Sequence, residues 1–575
     1  MPQTGSVCVS MGLIFLCVLA PARAAAQAPA ELPFDRTEDV ETCGHYSAQK
    51  MAFFGSTHLH TGMSTPAKAY EFAKGQSDPA LDWGAVTEHV ESEGTPWQEM
   101  QEAANEAYNP CVFSSFVAYE ATSPSTDAGH RNVIFRNANV IDRPVTASDP
   151  DPEKLWDALD DQCLNMSGVL DPDGGQCDVF TIPHGSNLDG GAAFFDPPTP
   201  DFSQKRQKWE PLVEIYQSKG SSECRWDPRL QEGVQTADEH CAFELLDASA
   251  GAAVNRTPET SLEPYPARSW VRNILKDGLV YLTNRKHRVN PFTYGILASS
   301  DNHHGTMGWH PEDAQARGHA GMSDAVPTRS VALQHSSGGY SVVWAEENTR
   351  DAIFTALRNK ETYGTSGTRI TVRFFGGWDF SDDICNGDYA WEGYASGVPM
   401  GGDLPKIKGA KRPPRFVASA WMDDWVRTPL QQIQIIKGWA DADGLTHEVV
   451  HTVAGGDNDA WVDRTCNPTG AGAADFCKVW EDPDFDPDVP AFYYARVLEN
   501  PVCRFSTRLC QEEYDVNPLD TDCENQLKAL SISDASAAAD AAFCCSNETT
   551  GPIVQPIIQE RAWTSPIWYT PNKMK

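Results

Sequence analysis

Positive charge is what this chain has least of. Lys and Arg number 45 against 80 Asp and Glu, for a formal charge of −35. A surface that acidic repels phosphate backbones, which argues against a nucleic-acid partner. Long apolar runs are missing after the first residues, so no transmembrane segment is expected in the mature chain. Zinc-ribbon spacing of cysteines is absent too, and no internal repeat is visible. An apolar core at residues 11–20 leads into the small residues Ala22, Ala24, Ala25 and Ala26, yet no Lys or Arg precedes it. That reads as a secretory signal peptide over residues 1–26 without its usual charged start, and it predicts a periplasmic or secreted protein. Cys17 lacks the small-residue surroundings of a lipoprotein cleavage site.

Cysteine, by contrast, is plentiful. Of sixteen, Cys8 and Cys17 fall in the leader; the even remainder fits disulfides formed in an oxidising compartment. Cys163/Cys177, Cys224/Cys241, Cys466/Cys477 and Cys503/Cys510 are near enough in sequence to close short loops, although connectivity does not follow from spacing. Asn547-Glu548-Thr549 matches a glycosylation acceptor.

At 575 residues two domains are expected. From residue 51 to 367, apolar strands alternate with helical stretches at residues 66–74, 95–108, 151–164, 269–277 and 348–360, which argues for a parallel α/β sheet or barrel. After Gly367 the texture becomes β-rich, with short segments at 369–375, 416–421, 433–437, 492–498 and 562–569 between Gly-, Pro-, Asp- and Asn-rich loops. Residues 27–367 are therefore read as a hydrolase-type barrel and 368–575 as a mostly antiparallel, sandwich-like accessory domain.

The chemistry lies in a repeated arrangement: an apolar strand, then a residue able to bind metal. Residues 51–55 run into His58-Leu59-His60, whose two imidazoles share one side of an extended backbone. Residues 83–87 run into Glu88-His89, 113–119 into Glu120, 179–183 into His184, and 294–300 into Asp301-Asn302-His303-His304. Ligand chemistry at successive strand ends is how barrel-type α/β enzymes build a site. The candidate ligands are His58, His60, His89, Glu120, His184, Asp301 and His303, with His130 as an eighth. Imidazole and carboxylate without thiolate suit Zn²⁺, Mn²⁺ or Fe²⁺, and the number of groups favours two or three divalent metal ions. Such a centre would activate a bound water as hydroxide for hydrolysis. Arg131, and Lys219 after the strand at 212–216, are candidate contacts for a small anionic, phosphorylated substrate. His304 is a further candidate substrate contact or a spare proton shuttle, with ordering Asp301 or facing solvent as its plainer roles.

Together these stretches resemble the ordered motifs of the PHP (polymerase and histidinol phosphatase) superfamily. The motifs are Phe54-Gly55-Ser56-Thr57-His58-Leu59-His60-Thr61, Thr87-Glu88-His89, Tyr119-Glu120, His130-Arg131-Asn132, Ile182-Pro183-His184 and Ser300-Asp301-Asn302-His303. Within it the chain is most similar to the exported DUF3604 family, a likeness that extends to Trp344-Ala345-Glu346-Glu347-Asn348, Glu361-Thr362-Tyr363-Gly364 and Arg561-Ala562-Trp563-Thr564. The resemblance implies a distorted (β/α)7 barrel, a trinuclear centre and phosphoesterase-type hydrolysis. By that similarity His58, His60, Glu120 and Asp301 would serve one metal and His89 with His303 another. Glu120, His130 and His184 would hold the third, Glu120 bridging. One departure stands out: the aspartate usual shortly after HxH is replaced by Gly62-Met63-Ser64-Thr65-Pro66, leaving Glu88 or Glu91 as the carboxylates able to stand in.

Two other readings compete. An amidohydrolase-like enzyme also opens with HxH but wants a carbamylated Lys, for which Lys219 is the candidate. A non-catalytic protein would use structural metals and an aromatic surface of its 17 tryptophans to bind a polymer.

Overall fold

The computed structural model describes residues 32–62, 64–75, 79–89, 95–122, 129–145, 152–165, 177–189, 191–227, 232–233, 235–245, 267–284, 286–308, 335–406, 412–530, 532–533, 541–545 and 555–571. The leader, Glu91 and the acceptor at Asn547 lie outside the described residues. It is a mixed α/β structure with several sheets, and among the described residues strand pairing closes no barrel.

The site is carried by eight strands: β1 (Met51–Ser56), β2 (Trp83–Ala85), β3 (Ser114–Phe116), β4 (Ala118–Ala121), β5 (Arg131–Phe135), β6 (Val179–Pro183), β7 (Leu212–Gln217) and β8 (Gly295–Ala298). β1, β2 and β3 pair in parallel, as do β7 and β8, whereas β4, β5 and β6 are antiparallel neighbours. Helices follow the expected stretches: Pro66–Gly75, Trp97–Ala107, Pro152–Asn165, Val271–Thr283 and Arg350–Arg358. The first starts on Pro66, whose missing N–H costs nothing in a first turn, and buries Ala69, Tyr70, Phe72 and Ala73. The helix Pro200–Trp209 was not anticipated; it is mostly polar, and Thr199 caps it by accepting from the Phe202 amide.

One apolar cluster receives a side chain from nearly every site strand: Phe53, Trp83, Phe116, Ala118, Ile134, Phe180, Leu212 and Leu297. Ile353, Phe354 and Leu357 of the helix Arg350–Arg358 pack into the same cluster. Close approach dictates Gly55 in β1, where a Cβ would lie 2.3 Å from the Trp83 ring.

β1 also pairs with the antiparallel strand Ser341–Ala345, then Thr362–Thr365, Arg561–Thr564, Ala491–Glu499, Leu430–Ala440 and Thr446–Gly455. A single hydrogen-bonded sheet thus runs across residue 367. A separate antiparallel sheet holds Thr371–Gly377, Arg415–Trp421 and Asp475–Glu481.

Seven disulfides join Cys43–Cys111, Cys163–Cys177, Cys224–Cys241, Cys385–Cys477, Cys466–Cys503, Cys510–Cys544 and Cys523–Cys545. The first two short loops anticipated from spacing are present. Cys466/Cys477 and Cys503/Cys510 are not pairs, because Cys477 sits on the strand Asp475–Glu481 beside the Cys385 turn. A framework this dense belongs to an oxidising compartment, in keeping with an extracellular protein. No helix among the described residues is long and apolar enough to cross a membrane.

Candidate metal centre

Each ligand-type side chain stands at one end of a strand, and backbone bonds past the strand ends fix them together. Beyond β1, Leu59 forms a parallel bridge with Asn302. The His60 amide donates to the Asn302 carbonyl at 2.8 Å, and the Asp301 amide to the His58 carbonyl at 3.0 Å. On the other side the Thr87 amide reaches the Leu59 carbonyl (2.8 Å) and the Glu120 amide the Glu88 carbonyl (3.1 Å). Leu59 is fully buried on its own side, so His58 and His60 project together on the opposite one. His130 precedes β5 and His184 follows β6. Because β5 runs antiparallel to both neighbours, its beginning lies at the same rim as their functional ends.

Glu120 occupies the middle. Its Oε2 lies 2.9 Å from His60 Nε2, 3.1 Å from His58 Nε2 and 3.6 Å from His89 Nε2. Its Oε1 lies 2.6 Å from His130 Nδ1 and 3.4 Å from His184 Nε2. Asp301 Oδ1 is 3.4 Å from His58 Nε2, 3.5 Å from His60 Nε2 and 3.4 Å from His303 Nε2. Asp301 holds a positive φ of 48°, a left-handed conformation costly for a non-glycine residue and tolerated where surroundings enforce it. The rings of His60 and His303 stack at 4.1 Å, and those of His60 and His89 at 4.5 Å.

All eight anticipated ligands are brought together. Donor atoms of His58/His60/Glu120, His60/Asp301/His303 and His89/Glu120/His130 form groups compact enough to hold an ion, as do those of His58/His184/Glu214. His58, His60, Glu120, His184 and Asp301 form a buried floor, while His89, His130 and His303 are partly accessible at its edge.

Glu214 is the member that strand-end reasoning missed, because it lies inside β7. Its carboxylate reaches His58 Nδ1 at 3.2 Å. A charged residue at the centre of the apolar run Leu212-Val213-Glu214-Ile215-Tyr216 was the available signal. Glu88 plays a similar part nearby: Oε1 accepts from the Thr61 amide at 2.6 Å, and Oε2 is 3.9 Å from His60 Nδ1.

Electrostatics follow from this crowding. Burial would raise the pKa of Glu120, but His184, His89 and His130 hold it well below the usual carboxylate range. Burial is likewise outweighed at Asp301, where His58, Lys219 and His303 keep the acid well below its ordinary value. Burial disfavours protonated His58, yet Asp301 and Glu214 lift its pKa well above normal. His184 goes the other way: burial and the charge on His58 push it down to about 3, leaving a neutral imidazole with a free lone pair.

Of the anticipated substrate contacts, Lys219 is at the site, its Nζ bonded to Asp301 Oδ2 and partly accessible. Arg131 is directed elsewhere. Its guanidinium is buried against Glu210 and donates to the backbone carbonyls of Gly129 and Ala193. Alternation along the chain explains this: with His130 aimed at the cluster, the next side chain leaves on the other side. His304 continues the loop after His303, its amide bonded to Asn302 Oδ1 at 3.2 Å; burial and then His303 push its imidazole down to about 4.

Each of the cluster's donor groups could hold a metal ion, and His89, His130 and His303 leave part of the donor set accessible along one edge. The profile of the family described as "Protein of unknown function (DUF3604)" matches residues 74–531. No curated protein matches the chain, and no solved structure does.

Proposed function

The chain belongs to the DUF3604 family, and from the geometry of its centre we propose that it is an exported metal-dependent hydrolase, a phosphoesterase of the PHP kind. The observation that carries this reading is Glu120 set among five imidazoles, sharing its two oxygens between separate donor groups. The donor set fits divalent metal: imidazole and carboxylate only, with His130 Nε2, His184 Nε2 and Asp301 Oδ1 buried without a hydrogen-bond partner. The potential that holds a proton on His58 is also one that favours a divalent cation.

His58, His60, Glu120 and Asp301 would hold one cation, His89 and His303 a second, and Glu120, His130 and His184 a third. Bound there, such cations activate water and neutralise phosphoryl oxygens. Glu214 orients His58 through Nδ1, and Glu88, held by the Thr61 amide, places a negative charge 3.9 Å from His60 Nδ1. Lys219 keeps Asp301 anionic and offers an ammonium at the accessible edge to an anionic substrate. Arg131 has no direct part, since its donors are committed to Glu210 and backbone.

We read the seven-strand circuit as a distorted barrel, β3 and β4 counting as one interrupted strand. It is supported by the strand-end bonds from Asp301 to His58, Leu59 to Thr87 and Glu88 to Glu120, by β6 packing beside β7, and by the shared internal cluster. The amidohydrolase alternative needs Lys219 free for carbamylation, whereas here its ammonium is paired with Asp301.

Metal analysis of the purified protein, with turnover of bis(p-nitrophenyl) phosphate, tests the proposal. Hydrolysis should depend on added Mn²⁺ or Zn²⁺, cease with chelator, and vanish in folded His58→Ala and Glu120→Ala proteins. Metal-loaded protein inert towards phosphate esters would sink the phosphoesterase reading.

A further inference from the structure

A second cleft, of about 510 Å³, is lined by none of the histidine cluster's residues. Its wall is a row across three antiparallel strands, because Thr371 pairs with Trp421 and Trp421 with Asp475. Side chains directly opposite one another in such a ladder share a face. The chain then turns through Met422, Asp423, Asp424 and Trp425, and the opposite wall comes from Phe54, Pro79 and Arg369.

The turn is held from within. Asp423 accepts from the amides of Trp425 (2.7 Å) and Arg369 (2.8 Å), and the Met422 amide reaches the Ala474 carbonyl at 2.9 Å. Trp425 is nonetheless 58% exposed and Trp421 37%, far from the near-complete burial of Trp83 and Trp563. Two large indoles, one ending the strand Arg415–Trp421 and one on the turn after it, give the cleft an open aromatic face. The Trp421 ring is steadied by stacking on Tyr389 at 6.1 Å.

Charge selects the occupant. Three carboxylates line the cleft, and Asp424 and Asp475 have no ion-pair partner among the described residues. Arg369 is the one cation in the lining, set against three carboxylates, so the cleft stays net negative. Its guanidinium donates to the carbonyls of Pro79 and Ala80 at 2.8 Å and lies over the rings of Phe54 and Tyr340. A neutral ligand without donors would strip water from two carboxylates and return nothing, and one with hydroxyls could hydrogen-bond to them but would leave their charge uncompensated. An organic cation would pair with them and place its alkyl-ammonium face on the indoles.

We propose that the cleft between Trp421, Trp425, Asp424 and Asp475 is a binding site for a small organic ammonium ion, separate from the metal centre. The full-length protein, titrated with choline, should show saturable tryptophan quenching and a matching calorimetric isotherm. The neutral isostere 3,3-dimethyl-1-butanol should not bind. Trp425→Ala, and the double change Asp424→Asn with Asp475→Asn, should each weaken choline binding by about tenfold or more. Both substitutions lie on exposed positions, so thermal melting should stay at the parental value. The idea fails if choline leaves fluorescence and heat unchanged. It fails equally if the neutral isostere binds as well as choline, or if cellobiose binds and choline does not.

Discussion

Glu214 reaches His58 Nδ1 at 3.2 Å, where it sets the direction and basicity of that imidazole, and it also groups with His58 and His184 closely enough to share an ion. Carboxylates in this position fix the ligand's tautomer, and their loss costs roughly 10–100-fold in metal affinity. Glu214→Gln should therefore fold normally, because the amide fills the same fully buried space, while its metal-titration midpoint moves to higher concentration by that factor. An unchanged midpoint would show that His58 is oriented by the backbone alone. Glu499 poses a different single-residue problem. Both its carboxylate oxygens are buried, and burial, with Asp423 adding to it, outweighs the Thr368 hydroxyl and lifts its pKa well above the ordinary 4.5. The folded state thus prefers the neutral acid, a preference without cost below pH 4.5 and increasingly costly as pH rises towards the folded value. Glu499→Gln should stabilise the protein at pH 8 by roughly 1–3 kcal/mol, the gain shrinking to nothing near pH 4.5. Melting temperatures of both proteins across that range are the check.

The loop leaving β1 shows what an element contributes beyond its ligands. Gly62 has a φ of +58°, and a Cβ there would lie 2.0 Å from the His303 carbonyl oxygen. Gly62→Ala should push the His303 loop outward, destabilise the fold by about 1 kcal/mol or more, and lower the bound-metal content. Retained metal with only the stability loss would separate the loop from the site. Elements of this kind mark where the sequence was readable. Strands ending in His58, Glu120, His184 and Asp301 were legible because each ligand follows an apolar run with strand periodicity. Side-chain direction was not: Arg131, next to His130, read as a substrate contact, whereas alternation at the start of the strand Arg131–Phe135 sends it to Glu210. Glu214 escaped because it lies inside the strand Leu212–Gln217, where an apolar run signals core and not a ligand. The disulfides Cys385–Cys477 and Cys466–Cys503 escaped because sequence neighbours need not be spatial neighbours.

At the scale of the whole molecule, the sheet that starts at β2 and β3 continues through Thr362–Thr365 into Arg561–Thr564 and Ala491–Glu499. A buried ion network crosses the same boundary. Arg496 Nη1 lies 3.1 Å from Glu223 Oε1 and 2.9 Å from Asp238 Oδ2, and Arg272 Nη2 lies 2.9 Å from Asp238 Oδ2. Tyr494 and Trp563 donate to Glu223 at 2.6 and 2.8 Å. Residues before and after 367 therefore share ladder bonds and desolvated charges, and we expect one cooperative unfolding transition for the described body. Arg496→Leu would leave Glu223 and Asp238 buried with half their compensation, a loss of about 3–5 kcal/mol. Burial alone would raise the Glu223 pKa, but Arg496 and Arg272 hold it below the ordinary 4.5. Its contribution is thus complete above pH 4.5 and disappears as pH falls through the depressed folded value. The deficit of the Arg496→Leu protein should accordingly be full at pH 7 and narrow as the solution is acidified below pH 4.5. Denaturation followed by tryptophan fluorescence and by far-ultraviolet circular dichroism reads both expectations. Two separated transitions, or a deficit that ignores pH, would mean that the halves are coupled by neither the sheet nor the charges.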